Sequence, residues 1–329
     1  MTLAKKIRIA IAGWGNLGKG ACQAIWQSPD THLICVFSRR DPASLQLPDH
    51  VVGKHIDEAK NMTNDVDVLL VCGGSATDLP NQTPAFTRLF NTVDSFDTHA
   101  KIPEYFEVVN RAAKETGHLS AISVGWDPGL FSLNRLYAKS ILPVGNTYTF
   151  WGKGVSQGHS DAIRRVSGVK KAIQYTVPVE DAMHRVRSGE HPLLSTRDKH
   201  IRVCYVVPRK GADLDAITRT IQTMPAYFSD YHTQVHFITE EEFDANHTAM
   251  PHGGFVIHSG KTFSGSKHII EYSLKLDSIP EFTSSVLVAA ARAVYRMKQE
   301  GKTGAITLFD IPPAYLSPLS GNELRRQFL

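Results

Sequence analysis

The apolar positions of this chain fall into two regimes that meet near residue 125. Before that point, short unbroken apolar runs at 7–12, 32–38, 66–72, 91–96 and 118–124 predict buried strands. Segments of helical period separate several of them: 16–27, with Leu17, Ala21 and Ile25 on one face, then 81–90, then 102–116 with Pro103 at its start. Residues 41–60 are aperiodic and broken by Pro and Asp, and read as a variable connection. Strands that alternate with helices predict one parallel, doubly wound sheet.

After residue 125 the period changes. A helix over 130–141 leads to two-residue alternation at 147–151, 174–179, 201–207, 233–238, 255–258 and 269–276. Helical stretches interrupt these near 180–187 and 212–223. This predicts an α+β domain with a mixed, mostly antiparallel sheet, one face of which is free for a substrate or another subunit. The last long helix, 283–300, and the tail are expected to return to the first domain. The expected division is residues 1–125 with 280–329 as a Rossmann-like dinucleotide-binding domain, and 126–279 as a substrate and dimerisation domain.

The first strand runs into Gly13-Trp14-Gly15-Asn16-Leu17-Gly18, a helix follows, and the second strand ends about twenty residues on. That strand–turn–helix–strand setting is what the Gly-x-Gly-x-x-Gly dinucleotide fingerprint requires. Gly13 suits the tight turn, Gly15 a close pyrophosphate and Gly18 close helix–strand packing, with free N–H groups at the helix start. The second strand closes on Ser38-Arg39-Arg40 rather than on the Asp or Glu that accepts from a ribose 2′-hydroxyl. A hydroxyl and two guanidiniums suit a 2′-phosphate, so the expected cofactor is NADP. The plainer reading leaves one or both arginines as solvated surface charges.

Composition narrows the class. A net charge of +4, from 36 Lys+Arg against 32 Asp+Glu, is only mildly basic, and no basic cluster suggests nucleic acid. The four cysteines are widely spaced without metal-type spacing and read as buried thiols. An apolar strand almost at the start leaves no room for a signal peptide, and no apolar run reaches membrane-spanning length. A cytoplasmic protein is expected.

Four loops carry candidate chemistry: Asp94 to Asp97; Ser123 to Gly129; Phe150 to Gly152 with Ser156 to Asp161; and Met250 to Gly254. Each also has an ordinary account in turns and helix caps. Together they suggest carboxylates that hold an ammonium at a carbon losing hydride. Arg202, Thr176 and His252 could take a carboxylate at the far end of the substrate. Gly-x-Ser-x-Gly is absent, which argues against acyl transfer.

At these loops the chain closely resembles the meso-diaminopimelate dehydrogenase family. Matching stretches are the fingerprint, Phe37 to Arg40, Gly74 to Asp78, Gly125 to Gly129, Phe150 to Gly152, Ser156 to Asp161 and Met250 to Gly254. They occur in family order along nearly the whole chain, and the last two are the specific ones. The resemblance implies NADP-dependent oxidative deamination at the D-centre of meso-2,6-diaminopimelate, giving L-2-amino-6-oxopimelate and ammonia, by a homodimer built through the second domain. It implies that Trp14 to Leu17, Ser38 to Arg40, Cys72, Gly73, Gly74, Ser75, Ser95, Phe96, Asp97, Val124, Gly125, Trp126, Asp127 and Pro128 line the cofactor. Asp97, Asp127, Trp151, Gln157, Gly158, Thr176, Arg202 and His252 would contact substrate, with Asp97 and Asp127 catalytic. At the ninth substrate position the family pattern leads to Asn, and this chain has Ile279. Competing expectations are a broad D-amino-acid dehydrogenase, another two-domain NADP oxidoreductase of amino-acid metabolism, and a catalytically silent NADP-binding protein.

Overall fold

A computed structural model describes residues 6–329, which divide into two units: residues up to 133 together with 280–329, and residues 134–279. The first unit begins with β1 (Ile7–Ala12), α1 (Asn16–Gln27), β2 (Thr31–Ser38), β3 (Gly53–His55) and β4 (Val68–Val71). It continues through α2 (Leu79–Thr87), β5 (Thr92–Asp94), α3 (Ile102–Thr116) and β6 (Leu119–Ala121). Helix α4 (Phe131–Ile141) carries the chain out of it.

The second unit holds β7 (Gly145–Trp151), β8 (Gly154–Val155), α5 (Gln157–Arg164), β9 (Val169–Pro178), α6 (Glu180–Arg187) and α7 (Thr196–Lys199). After these come β10 (His200–Pro208), α8 (Leu214–Gln222), β11 (His232–Phe237), α9 (Glu240–Asn246), β12 (His252–Lys261) and β13 (Lys267–Leu276). Helix α10 (Ile279–Gln299), β14 (Gly304–Ile306) and α11 (Gly321–Phe328) complete the chain.

In the first unit seven strands form one sheet in the order β14-β6-β5-β4-β1-β2-β3, and every pairing is parallel. The strand order reverses at β1 and β4, the switch point where such sheets take ligands. Register makes that edge level. Ala12 pairs with Phe37 and Val71, and Val71 pairs with Asp94. The loops that follow β1, β2, β4 and β5 therefore leave the sheet side by side. Helix α10 packs its Leu287, Val288, Ala291 and Val294 into the core of β1, β4 and α1, where each large side chain contributes about 1.5–3 kcal/mol of burial.

In the second unit the alternating strands form two sheets rather than the single one expected. One is β11-β10-β9-β8, with β10 and β11 parallel; the other is the antiparallel β13-β12-β7. A strand's two-residue period says which side chains share a face, not which strand it will pair with, so the split was not legible. Several short elements were also missed, β8, α7, α9 and α11 among them. Strand β3 lies in the stretch taken as a connection, and β14 follows α10; at three residues each, neither repeats long enough to register. The stretch 157–161, read as loop, is the start of α5. Its one apolar anchor, Ile163, is fully buried, so packing overrides weak local propensity. Among the described residues no helix is long and apolar enough to cross a membrane.

Candidate functional site

In the first unit the loops after β1, β2 and β4 enclose a cavity of about 320 Å³, lined by Gly13 to Gly15, Ser38 to Arg40 and Cys72 to Gly74. A Cβ on Gly18 would lie 2.1 Å from the Gly13 carbonyl oxygen, so only glycine lets α1 start this close to β1. The Arg40 backbone N–H donates to Ser38 Oγ (3.0 Å), and its guanidinium donates to the Trp14 carbonyl (3.2 Å). Arg39 pairs with Asp78 at 3.0 Å, and the other Asp78 oxygen accepts the Gly74 N–H at 2.9 Å. Both arginines stay exposed at the rim. Two guanidiniums and a hydroxyl at the end of β2 fit a phosphate of two negative charges. Asp78, Ile56 and Gln82 also line the cavity, and of these only Asp78 falls within a sequence motif, Gly74 to Asp78. Burial pushes the Cys72 thiol up to about 12, so it is an uncharged wall.

Two further loops meet at Asp94, the last residue of β5. Its fully buried carboxyl accepts the backbone N–H groups of Phe96 (3.0 Å) and Ser123 (3.1 Å) and the Tyr105 hydroxyl (2.5 Å). Phe96 stacks on the Tyr105 ring at 4.1 Å. Burial pushes the carboxyl above its usual range despite these donors. One side chain thus ties together the segment carrying Ser95, Phe96 and Asp97 and the segment leading to Val124, Gly125, Trp126, Asp127 and Pro128. Asp97 itself is exposed and bonded to Ser75, while Asp127 is half-buried in the turn before α4. Asn16 and Leu17 form the first turn of α1, beside the cavity wall.

The second unit gathers its candidates around β9 and β10. Thr176 and Arg202 are register partners, and the Arg202 Nη1 donates to Thr176 Oγ1. Arg202 is only 7% exposed, with its guanidinium 3.9 Å from the Tyr231 ring centre and its Nε without a partner. Burial, then the Arg202 charge, pull His159 down to about 4 and His200 to about 3. Both imidazoles are therefore neutral near pH 7, and among the described residues no ion pair joins the guanidinium to a carboxylate. A buried cation of this kind could take an anion.

Trp151 donates its backbone N–H to His200 Nε2 (2.8 Å) and lays its ring on that imidazole, 5.2 Å between centres. His252 sits against Gly154, where a Cβ would come within 2.3 Å of the imidazole. Gln157 Nε2 reaches the Met250 sulfur at 3.0 Å, and the Ile279 N–H donates to the Met250 carbonyl at 3.2 Å. These two thus meet at one residue. Gly158 stays open in the first turn of α5. Gln174, His200 and Tyr231 escaped the sequence reading. A signal existed for His200: together with Arg202 it occupies the buried phase of β10, where Cys204 and Val206 follow.

Comparison with known proteins supplies the family. Residues 125–278 match the diaminopimelic acid dehydrogenase C-terminal domain, and residues 7–89 the oxidoreductase family NAD-binding Rossmann fold. A meso-diaminopimelate D-dehydrogenase of Ureibacillus thermosphaericus is 60% identical over 98% of this chain and 99% of its own. A sixfold-substituted meso-diaminopimelate dehydrogenase of Clostridium tetani E88, crystallised with DAP, is 54% identical with a TM-score of 0.93, covering 98% and 100% of the two chains. An engineered D-amino acid dehydrogenase bound to NADP+ is 44% identical with a TM-score of 0.85, covering 99% and 100%. The chain belongs to the meso-diaminopimelate D-dehydrogenase family.

Proposed function

We propose that this protein catalyses the reversible, NADP-dependent oxidative deamination of meso-2,6-diaminopimelate at its D-centre, releasing L-2-amino-6-oxopimelate and ammonia. The observation that carries the reading is the pairing, in one chain, of a phosphate-suited Ser38–Arg40 rim with a buried, carboxylate-free Arg202 beside Thr176. Family membership supplies the substrate.

Asp97 and Asp127 hold the ammonium of the reacting carbon, and one of them helps to remove its proton. Trp14 to Leu17, Ser38 to Arg40 and Cys72 to Ser75 would hold NADP+, which would supply the acceptor for the hydride of that carbon. The resulting imine takes up water, and loss of ammonia leaves the carbonyl. Arg202, Thr176 and His252 bind the carboxylate of the distal L-centre, and Trp151, Gln157, Gly158 and Ile279 surround the carbon chain. We read the protein further as a cytoplasmic homodimer joined through the second unit, a reading that the exposed Phe263 and Ile269 support. Light scattering at twice the chain mass is its check.

The test is NADP+ reduction with meso-, LL- and DD-diaminopimelate and a panel of simple D-amino acids. Activity confined to the meso isomer is expected. Broad activity on D-amino acids would make Ile279 the mark of a relaxed distal site, and silence on every substrate would leave a dinucleotide-binding protein.

A further inference from the structure

Only two side chains among the described residues of the second unit bury a polar atom without a hydrogen-bond partner: Arg202 at Nε and Gln174 at Oε1. Gln174 is fully buried. The two groups belong to one row. Gln174 and Thr176 share a face of β9, and Gln174 Nε2 donates to Thr176 Oγ1 at 3.4 Å. The same hydroxyl accepts from Arg202 Nη1. With its oxygen taken by two donors, the Thr176 hydroxyl keeps its own proton free to donate. The Gln174 amide is fixed with its nitrogen toward Thr176, which leaves its carbonyl oxygen as the open end.

The row marks the border of a hydrophobic core. Along the same face, Ala172 pairs with Val206 and Gln174 with Cys204, and that end is covered by Ile163, Ile217 and Phe228. An amide with an unmet acceptor at such a border costs stability unless a donor arrives. The open atoms have opposite character, a cationic donor at one end and a neutral acceptor at the other. A plain carboxylate satisfies Arg202 but meets the Gln174 oxygen as a second acceptor. An α-amino acid head satisfies both: carboxylate to Arg202 and Thr176, ammonium to Gln174.

We propose that Gln174 is a specificity-determining residue whose side-chain carbonyl accepts the ammonium of the substrate's L-centre, alongside the carboxylate on Arg202 and Thr176. The proposal rests on the substrate reading above and deepens it. The carboxylate lies between guanidinium and ammonium, so the two cations do not repel across the site. A seven-carbon diacid with only the reacting D-amino group leaves Gln174 unpaired.

The experiment compares kcat/KM for meso-diaminopimelate with that for D-2-aminopimelate, which lacks the distal amino group, in wild type and in Gln174→Met. A hydrogen bond to a charged group predicts that wild type favours the meso compound by roughly 10–100-fold. The variant should lose most of that preference, through a raised KM for the meso compound at little cost in kcat. An equal fall on both substrates would mean that Gln174 only props Thr176, and an unchanged ratio would remove it from recognition altogether; either result overturns the proposal. NADP+ affinity, measured by fluorescence titration, confirms that the variant is folded. If Gln174→Met does not fold, wild type alone still decides against the idea by handling both substrates equally well. Wild type inactive on the meso compound would instead defeat the substrate reading itself.

Discussion

Ser75 and Asp97, on loops 22 residues apart, hold each other reciprocally: the Ser75 hydroxyl donates to Asp97 Oδ1 at 2.5 Å and accepts the Asp97 backbone N–H at 2.9 Å. The serine therefore sets both the backbone and the carboxylate of an exposed acid that would otherwise sample several rotamers. Ser75→Ala is expected to lower kcat/KM for the amino-acid substrate by about 3–10-fold at saturating NADP+, the range of a partly solvated charge-assisted hydrogen bond. Unchanged kinetics would show that Asp97 needs no such support.

Asp127 sits in the turn between the sheet and α4, four residues beyond Ser123, whose backbone N–H donates to Asp94. Replacement by Ala should cost about 10²–10⁴ in turnover, the range for a group that moves a proton in the transition state. The NADP+ dissociation constant should stay within about threefold of wild type, since the phosphate-suited groups of Ser38, Arg39 and Arg40 are untouched. Near-normal turnover removes Asp127 from the scheme.

Arg39 and Arg40 are the side chains expected to carry dinucleotide choice. The double substitution to Ala should raise the KM for NADP+ by about 10–100-fold or more, at 1.5–3 kcal/mol per charged hydrogen bond, and leave the KM for NAD+ nearly unchanged. A parallel rise for both dinucleotides would place these side chains on the shared pyrophosphate instead. Asp78 adds a twist: it pairs with Arg39, so Asp78→Asn should ease NADP+ binding at Arg39 while loosening the Gly74 turn.

His200 links stability to pH. Its imidazole titrates at 6.5 when unfolded and at about 3 in the fold, because burial and then the Arg202 charge oppose protonation. Between those values the unfolded chain holds the extra proton, so stability falls as pH drops from 6.5 toward 3. His200→Gln keeps an acceptor for the Trp151 N–H and removes the titration. Its melting temperature, although lower at pH 7, should decline less steeply than wild type's between pH 7 and 4.5. Equal slopes would assign the acid sensitivity elsewhere.

Asp94→Ala strips an acceptor from two backbone N–H groups and a phenol at once. Buried donors left unpaired cost about 1–3 kcal/mol each, so denaturant unfolding should show a loss of at least about 3 kcal/mol. A loss below about 1 kcal/mol would mean that water replaces the carboxyl.

The sequence made the parallel sheet and the β1–α1 fingerprint legible because an all-buried strand followed by glycines has few other uses. It singled out Asp94 and Asp97 together as one acidic loop. Three residues apart, they do opposite things: Asp94 points into the core as an internal clamp and Asp97 lies outside. Periodicity cannot separate them, since the strand ends between the two. Thr176 and Arg202 are candidate carboxylate binders from the sequence, yet their direct pairing depends on the β9–β10 register, which no local pattern encodes. The Gln174 side chain looked like ordinary strand filling until its neighbours were known. Ile279 carries the opposite lesson: an apolar residue in a polar pattern was visible at once, and the fold adds only that its backbone is moored to Met250.

The first unit is not finished by the first part of the chain. Arg292, almost wholly buried in α10, grips Asp30 from 262 residues away, and β14 extends the sheet beyond β6. On the ribosome, roughly 10–40 s separate the emergence of β6 from that of α10 at ordinary rates of synthesis. Through that interval one face of a nearly complete parallel sheet lacks its covering helix, whereas residues 134–279 are all present before it ends. The middle of the protein can thus mature first, and the dinucleotide fold waits for the tail. A chain cut short after residue 279 would lose the cofactor half while keeping every strand of the other.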